Sequence, residues 1–319
     1  MPVKKYFCTY FDYNFLPRGL ALYHSIKRIY SDFDFYILAF DKQTHEKLNN
    51  LNDQNIKVIS FEEYDKYFNT SIDRFEDKKQ YYFSATPNIC LYLLEKRPEI
   101  DLLLYLDADV FVFNSLDTLY QEVKEASIAF CSHRFYPLYK FLSKNHGMYN
   151  VGVNFFRNDE NAKVCLRDWH RDCNSWYKGM PGYKLGYFSD QIFLNDWKNK
   201  YNRVKIIENI GIDVAPWNIA NYCFSSVNGQ FYVNDVPLVI YHFSYLKKIE
   251  DNRWNANTIF YFGSVRKRLL DIYLYYIKEL EASGQISTQV ASIQMKFSLP
   301  KKLFYRFMRL FLNETIHTK

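Results

Sequence analysis

Asp101-Leu-Leu-Leu-Tyr-Leu-Asp107-Ala-Asp109-Val-Phe-Val-Phe113 is the stretch on which the reading of this chain turns. Residues 102–106 are an uninterrupted apolar run of strand length, which reads as a strand buried on both faces, central in a parallel sheet. The run ends in two carboxylates one residue apart, and a second apolar run, 110–113, comes at once after them. Carboxylates at the carboxyl end of such a strand face the crevice in which open α/β sheets bind ligands. Asp107 and Asp109 are close enough in sequence to share one ion, and oxygen-rich ligand sets favour Mg²⁺ or Mn²⁺, which in turn grip phosphates. The plain alternative is a pair of solvated turn residues, since D-x-D arises by chance in many chains. Acids wedged between apolar runs are costly unless something uses them, which weighs toward the metal.

Outward from that stretch, strands and helices alternate. Residues 4–10, 33–40 and 56–61 read as strands, with helices over 14–30 and 45–51 between them, a β-α-β-α-β start that predicts parallel strands with crossover helices. Residues 84–95 read as the helix feeding the central strand, with Thr86-Pro87 suiting its first turn. Next come a helix over 115–124, strands over 127–131 and 149–156, and a long helix over 159–177. Residues 178–184, with two glycines and a proline, read as a loop. Late strands fall at 204–208 and 237–243, and helical spacing returns over 261–282 and 289–312. The expectation is an α/β catalytic domain over 1–260, a mixed sheet flanked by helices, with a helical appendix over 261–319.

Composition narrows the class. In 319 residues, 48% hydrophobic content with 19% aromatics excludes a disordered chain, and 10 Gly with 9 Pro exclude low-complexity linkers. Six scattered cysteines without a C-x-x-C pair form neither a zinc framework nor a disulfide scaffold, which points to a reducing compartment. Residues 1–7 pass straight into a strand without a signal-peptide apolar run, and no apolar run approaches the roughly 20 residues of a membrane span. The expected location is the cytoplasm. Net charge is +6, but the residues from Lys296 onward hold six bases and one acid, net +5, leaving +1 for the body. A near-neutral body argues against a nucleic-acid partner.

Four more clusters sit where they can face the carboxyl edge of the sheet. Thr9-Tyr-Phe-Asp12-Tyr-Asn14-Phe15 ends the first strand, and Asp12 there either helps hold a nucleobase beside stacking aromatics or caps the next helix. Tyr149-Asn150-Val-Gly152-Val places a glycine inside a strand, the mark of close approach by another group. Ser189-Asp190-Gln191 opens a helix-like segment, as ligand groups or as an ordinary cap. Tyr241-His242-Phe243-Ser-Tyr-Leu-Lys247-Lys248 ends an apolar strand in a histidine with a basic pair after it. A lone strand-end histidine is more often structural; beside two aspartates it becomes a candidate third metal ligand.

Together these clusters resemble the nucleotide-sugar glycosyltransferases of the GT-A fold, in particular the retaining family 8 type, over residues 4–250. The resemblance implies Asp107, Asp109 and His242 as metal ligands for Mn²⁺ or Mg²⁺. It implies Thr9, Asp12, Asn14, Phe15, Asn150, Gly152 and Lys247 or Lys248 at the nucleotide and donor, and Asp190 with Gln191 near the anomeric carbon. Three positions depart from the family pattern. Tyr245 stands where a glycine usually follows the metal histidine, Phe15 replaces a tyrosine beside the base, and an arginine common before D-x-D is absent from residues 88–92. The implied activity is metal-dependent transfer of a sugar, from a UDP-sugar, to a glycan or lipid-linked acceptor in surface polysaccharide or lipopolysaccharide assembly. Retention would arise by front-face substitution or by double displacement, the sequence leaving both open. A non-catalytic sugar-nucleotide or glycan binder, and a haloacid-dehalogenase-type phosphatase, are the competing readings. The phosphatase motif normally stands near the amino terminus, unlike Asp107.

Residues 300–312 have helical spacing, with Leu303, Phe304, Phe307, Met308 and Phe311 on one face and Lys301, Lys302, Arg306 and Arg309 largely opposite. Such a basic amphipathic helix reads either as an anchor to an anionic membrane surface or as a helix packed on the domain.

Overall fold

The structure, a computed structural model, describes residues 4–75, 78–175, 190–261, 263–286 and 306–318. It opens with β1 (Lys5–Phe11), α1 (Leu16–Lys27), β2 (Phe33–Ala39), α2 (Lys42–Asn49), β3 (Ile56–Ser60) and α3 (Phe61–Phe68), the three strands parallel. Side chains cap the early helices: Asp41 accepts from the Thr44 amide at the start of α2, and Ser60 from the Glu63 amide at the start of α3. Then come α4 (Lys78–Lys96), β4 (Leu102–Leu106), β5 (Val110–Val112), α5 (Asp117–Glu122), β6 (Ile128–Ser132), α6 (Ser143–His146) and β7 (Tyr149–Arg157). After α7 (Glu160–Asn174) and α8 (Trp197–Lys200), β8 (Val204–Ile207) completes the sheet.

Its seven strands run β3-β2-β1-β4-β7-β6-β8. The sheet is mixed, as expected, because β7 is antiparallel to both β4 and β6 while the other neighbours are parallel. Alternation along the strands divides the core. Phe7, Phe35 and Leu104 face α1, whereas Cys8, Tyr36 and Leu103 face α4 and α7. Burial on both faces is why the central strand reads as a continuous apolar run.

Smaller elements close the carboxyl half: β9 (Phe224–Val227), β10 (Gln230–Val233), β11 (Val236–Pro237), β12 (Ile240–His242), β13 (Lys247–Glu250), β14 (Arg253–Asn255), α9 (Lys267–Ser283) and β15 (Thr315–His317). β12 pairs antiparallel with β5. α9 buries Tyr273, Tyr276 and Leu280 in a third core cluster, where the Tyr276 ring stacks on Phe243 at 3.8 Å. Among the described residues, no helix is long and apolar enough to cross a membrane.

Several expectations shift. The helix before the central strand begins at Lys78, so Pro87 lies inside it rather than in its first turn; a proline read alone favours helix starts, and packing overrode that preference. Asn228-Gly229, both at positive φ, turns β9 into β10, a hairpin signal the periodicity reading passed over. The loop over 178–184 and much of the helical span over 289–312 lie outside the described residues. The chain is described again from a helical turn at residues 306–308, which leads to β15; that strand pairs with β14 and buries Ile316 completely.

Candidate active site

Strand polarity gathers the site. β1 and β4 are parallel, so Asp12 and Asp107 lie just beyond their strands at the same edge. β7 runs the other way, with Leu106 opposite Val153, which brings Asn150 and Gly152 to that edge from the strand's amino end. Pairing of His242 with Val110 carries the imidazole over the two aspartates.

His242 Nε2 stands 3.0 Å from Asp109 Oδ1 and 3.6 Å from Asp107 Oδ2. One donor atom from each of the three residues lies within 4.8 Å of the others. The Asp107 amide donates to the Gly152 carbonyl at 3.0 Å, and the Asp109 carbonyl accepts from the Phe243 amide at 2.8 Å. Tyr105 donates its hydroxyl to Asp107 Oδ1 at 2.7 Å. Backbone and side chain therefore fix both acids before any ligand arrives.

The electrostatics result from crowding three ionisable groups, a buried histidine and two half-buried aspartates, into one place. Burial pushes Asp107 up to about 6, opposed by the charge of His242 and reinforced by that of Asp109. For Asp109 burial acts in the same sense, but His242 outweighs it and the carboxyl sits below its usual range. Burial opposes a charge on His242, yet Asp109, Asp213 and Asp107 together raise it well above an ordinary histidine. Two carboxylates and an imidazole, converging and short of positive charge, suit a hard divalent cation such as Mn²⁺ or Mg²⁺.

The remaining residues form a contiguous wall. Asn150 Oδ1 accepts from the Gly152 amide at 2.8 Å, and its Nδ2 lies 3.4 Å from Gln191 Oε1. Asp190 and Gln191 are both buried in the turn Asp190–Asp196, where the Asp190 carbonyl accepts from Trp169 Nε1 at 3.2 Å. The group that closes on Gly152 is His242 itself: a Cβ there would meet its Nδ1 at 2.6 Å. At the end of β1, Asp12 accepts from the Asn14 amide at 3.1 Å and from the Tyr82 hydroxyl at 3.3 Å, which ties down the turn after the strand. Phe15 is exposed, with the Arg18 guanidinium 4.8 Å from its ring centre. Thr9 is fully buried, and its hydroxyl has no partner among the described residues.

Lys247 and Lys248 alternate on β13 and part company. Burial lowers Lys247, with Arg18 and Lys79 adding to the effect, which places it in a cationic group. Lys248 instead pairs with the exposed Asp251 at 3.7 Å. Tyr245 adopts φ 65°, the left-handed region that favours glycine, and its carbonyl accepts from Asn257 Nδ2 at 2.6 Å. The backbone shape for which a glycine is suited is thus retained with a tyrosine in it.

Sequence reasoning missed Tyr105, Arg18 and Asp213. For Asp213 a signal existed: like the D-x-D pair it interrupts an apolar run, Ile210-Gly-Ile-Asp213-Val-Ala.

A family model described as "Glycosyl transferase family 8" matches residues 8–209. The uncharacterized protein YfnD of Bacillus subtilis (strain 168) is 22% identical over 262 residues, covering 82% of this chain and 84% of its own. YfnF of the same organism is 24% identical over 245 residues, covering 75% and 80% respectively. Among solved structures, the galactosyltransferase LgtC, in complex with donor and acceptor sugar analogues, superposes with a TM-score of 0.54. That match covers 92% of this chain and 100% of LgtC at 16% identity, a likeness of fold.

Proposed function

The chain belongs to glycosyl transferase family 8 and has a GT-A-like fold, and from that premise we propose that it moves a hexose from a UDP-sugar to a glycan or lipid-linked acceptor, keeping the donor's anomeric configuration. The observation that carries this reading is the meeting of Asp107, Asp109 and His242 beside the Asn150–Gln191–Asp190 wall. The surrounding process would be assembly of a surface polysaccharide or lipopolysaccharide.

Transfer breaks the bond between C1 of the sugar and the β-phosphate oxygen, and forms one from C1 to the acceptor oxygen. Asp107, Asp109 and His242 would hold a divalent ion, which would supply Lewis-acid neutralisation of the departing diphosphate. Lys247, grouped with Arg18 and Lys79, adds cationic charge toward the same anion. Asp12 and Asn14 border the base, and the exposed Phe15 ring offers it a stacking face. Asn150, Gly152 and Gln191 orient the sugar. Asp190, buried beside them, places negative charge near the cationic character that develops at C1. In a front-face substitution the acceptor proton passes to the departing phosphate oxygen, so no further base is required.

A lipid-linked acceptor would explain the carboxyl-terminal segment. Phe307, Leu310 and Phe311 are 55%, 75% and 57% exposed, with Arg306 and Arg309 beside them. That pairing of apolar and basic side chains supports peripheral attachment to the cytoplasmic face of an anionic membrane.

The test is release of nucleoside diphosphate from a panel of sugar nucleotides with Mn²⁺, and then proton NMR of the early product. Metal-dependent turnover of a UDP-sugar to an α-linked product is expected. Absence of turnover across the panel overturns the enzyme reading, and a β-linked product overturns retention.

A further inference from the structure

Asp213 is an acid placed where water does not reach it. It is 0% exposed, adopts φ 54° and comes directly after Ile212 in the loop between β8 and β9. Both its carboxylate oxygens lack an ordinary hydrogen-bond partner among the described residues, and His242 Nδ1 lies 3.4 Å from Oδ1. Carrying an ionised carboxylate into the interior is expensive unless it is paired or hydrogen-bonded. The chain nevertheless holds this residue firmly. The Asp213 carbonyl accepts from Arg134 Nη2 and Asn218 Nδ2, each at 3.0 Å. Arg134 also grips the Asn209 and Ile212 carbonyls, and Asn218 turns back to the Ala215 amide. On the other side, the His242 amide donates to the Val214 carbonyl at 2.8 Å, so the two residues are tied through the backbone as well.

The imidazole is boxed in accordingly. The Trp217 ring meets it edge-on at 5.1 Å, Gly152 closes against Nδ1 and Cε1, and Nε2 points at Asp107 and Asp109. Among the described residues, the charged group on the Nδ1 side is Asp213. A metal-binding histidine needs one ring nitrogen bearing its proton and the other offering a lone pair, and a carboxylate on the far nitrogen fixes that choice and the ring's orientation.

We infer that Asp213 is a positioning residue for the candidate metal site, accepting the Nδ1 proton of His242 and so holding the Nε2 lone pair toward the space between Asp107 and Asp109. The inference rests on the metal reading given under the proposed function. It predicts that Asp213 acts through His242 alone and touches neither ion nor sugar.

The experiment measures Mn²⁺ affinity directly, by the electron paramagnetic resonance signal of free Mn²⁺, in wild type, Asp213→Asn, His242→Ala and the double variant. Asp213→Asn should weaken Mn²⁺ binding about 10- to 100-fold. In the His242→Ala background the same change should weaken binding no further. Wild type that binds no Mn²⁺ defeats the metal reading itself. Wild type that binds while Asp213→Asn binds equally, or an additive loss in the double variant, defeats the positioning role alone. If Asp213→Asn does not fold, the ring nitrogens of His242 in Mg²⁺-loaded wild type decide by ¹⁵N NMR: a proton on Nδ1 supports the inference and one on Nε2 overturns it.

Discussion

Gly152 and His242 are packed so closely that a methyl group on the glycine would stand 2.6 Å from Nδ1 of the histidine. Gly152 belongs to β7 and His242 to β12, two strands that are not neighbours in any sheet. Their contact is therefore a join between the main sheet and the β5–β12 pair, made at the point where three donor atoms converge. The same glycine accepts from the Asp107 amide, so one small residue sets the distance between the imidazole and the first aspartate.

Gly152→Ala tests that join. The new methyl must displace a ring held by Trp217 and Asp213, and overpacking of this kind costs about 1–3 kcal/mol. Mn²⁺ affinity should drop by at least about tenfold, in the range expected for a disturbed outer partner. Calorimetric titration with Mn²⁺ and thermal melts check both arms, and unchanged affinity would show that the ring has room to move.

Proton and metal compete for the same atoms. Asp107 is raised from an ordinary 3.8 to about 6, so its contribution to stability is fully present below about pH 4 and is lost as pH rises through 6. The raised His242 acts in the same direction, its contribution being lost as pH climbs through its elevated value. The metal-free protein should thus lose stability from acid toward neutral pH as far as these groups are concerned. Mn²⁺ needs Asp107 ionised and His242 neutral, so it should raise the melting temperature little at about pH 5 and clearly at about pH 7.5. At a hundredfold excess over its dissociation constant the gain is about 2.7 kcal/mol. Melts with and without Mn²⁺ at the two pH values measure this; an equal shift at both would remove Asp107 and His242 from the binding site.

What was legible in the sequence was legible for a physical reason. The abrupt end of residues 102–106 in Asp107 and Asp109 is a local contrast, and the order of strands and helices before it fixes the sheet edge at which those acids fall. Gly152 announced a close approach without saying whose. Lys247 and Lys248 were inseparable until β13 put them on opposite sides. Asp213 interrupts an apolar run as the D-x-D pair does, but its partner lies 29 residues on, at the end of β12, and no periodicity reports such a meeting. Pro87 misled because a propensity was weighed without the packing of α4 on both flanks.

Tyr245 offers a test of backbone shape apart from chemistry. A left-handed φ costs an ordinary residue about 1–2 kcal/mol and a glycine nearly nothing, although glycine gives back part of the gain as unfolded-state freedom. Tyr245→Gly should hold or raise stability by up to about 1 kcal/mol, and Tyr245→Val should lower it by about 1–2 kcal/mol. Denaturant unfolding of the two variants reads the difference. A glycine variant less stable than the valine one would mean that the tyrosine ring, although 53% exposed, supplies the stability instead.

Membrane attachment is tested by side chains rather than by deletion, since cutting the chain at residue 299 would also remove β15 and the fully buried Ile316. Phe307, Leu310 and Phe311 already stand in solvent, the two phenylalanine rings 5.1 Å apart, and inserting half-exposed apolar side chains is worth about 1 kcal/mol each. Arg306 adds about 1 kcal/mol near an anionic surface. Arg309 adds less, because Glu314 holds its guanidinium at 3.1 Å. The sum, about 4 kcal/mol, makes attachment weak, reversible and sensitive to salt. Replacing all three apolar residues by serine should abolish pelleting with phosphatidylglycerol vesicles at low salt, leave the melting temperature within about 1–2 °C and leave hydrolysis of free donor intact. Pelleting that survives the triple substitution would place any membrane contact elsewhere on the chain, and a collapse in melting temperature would show that these side chains belong to the fold.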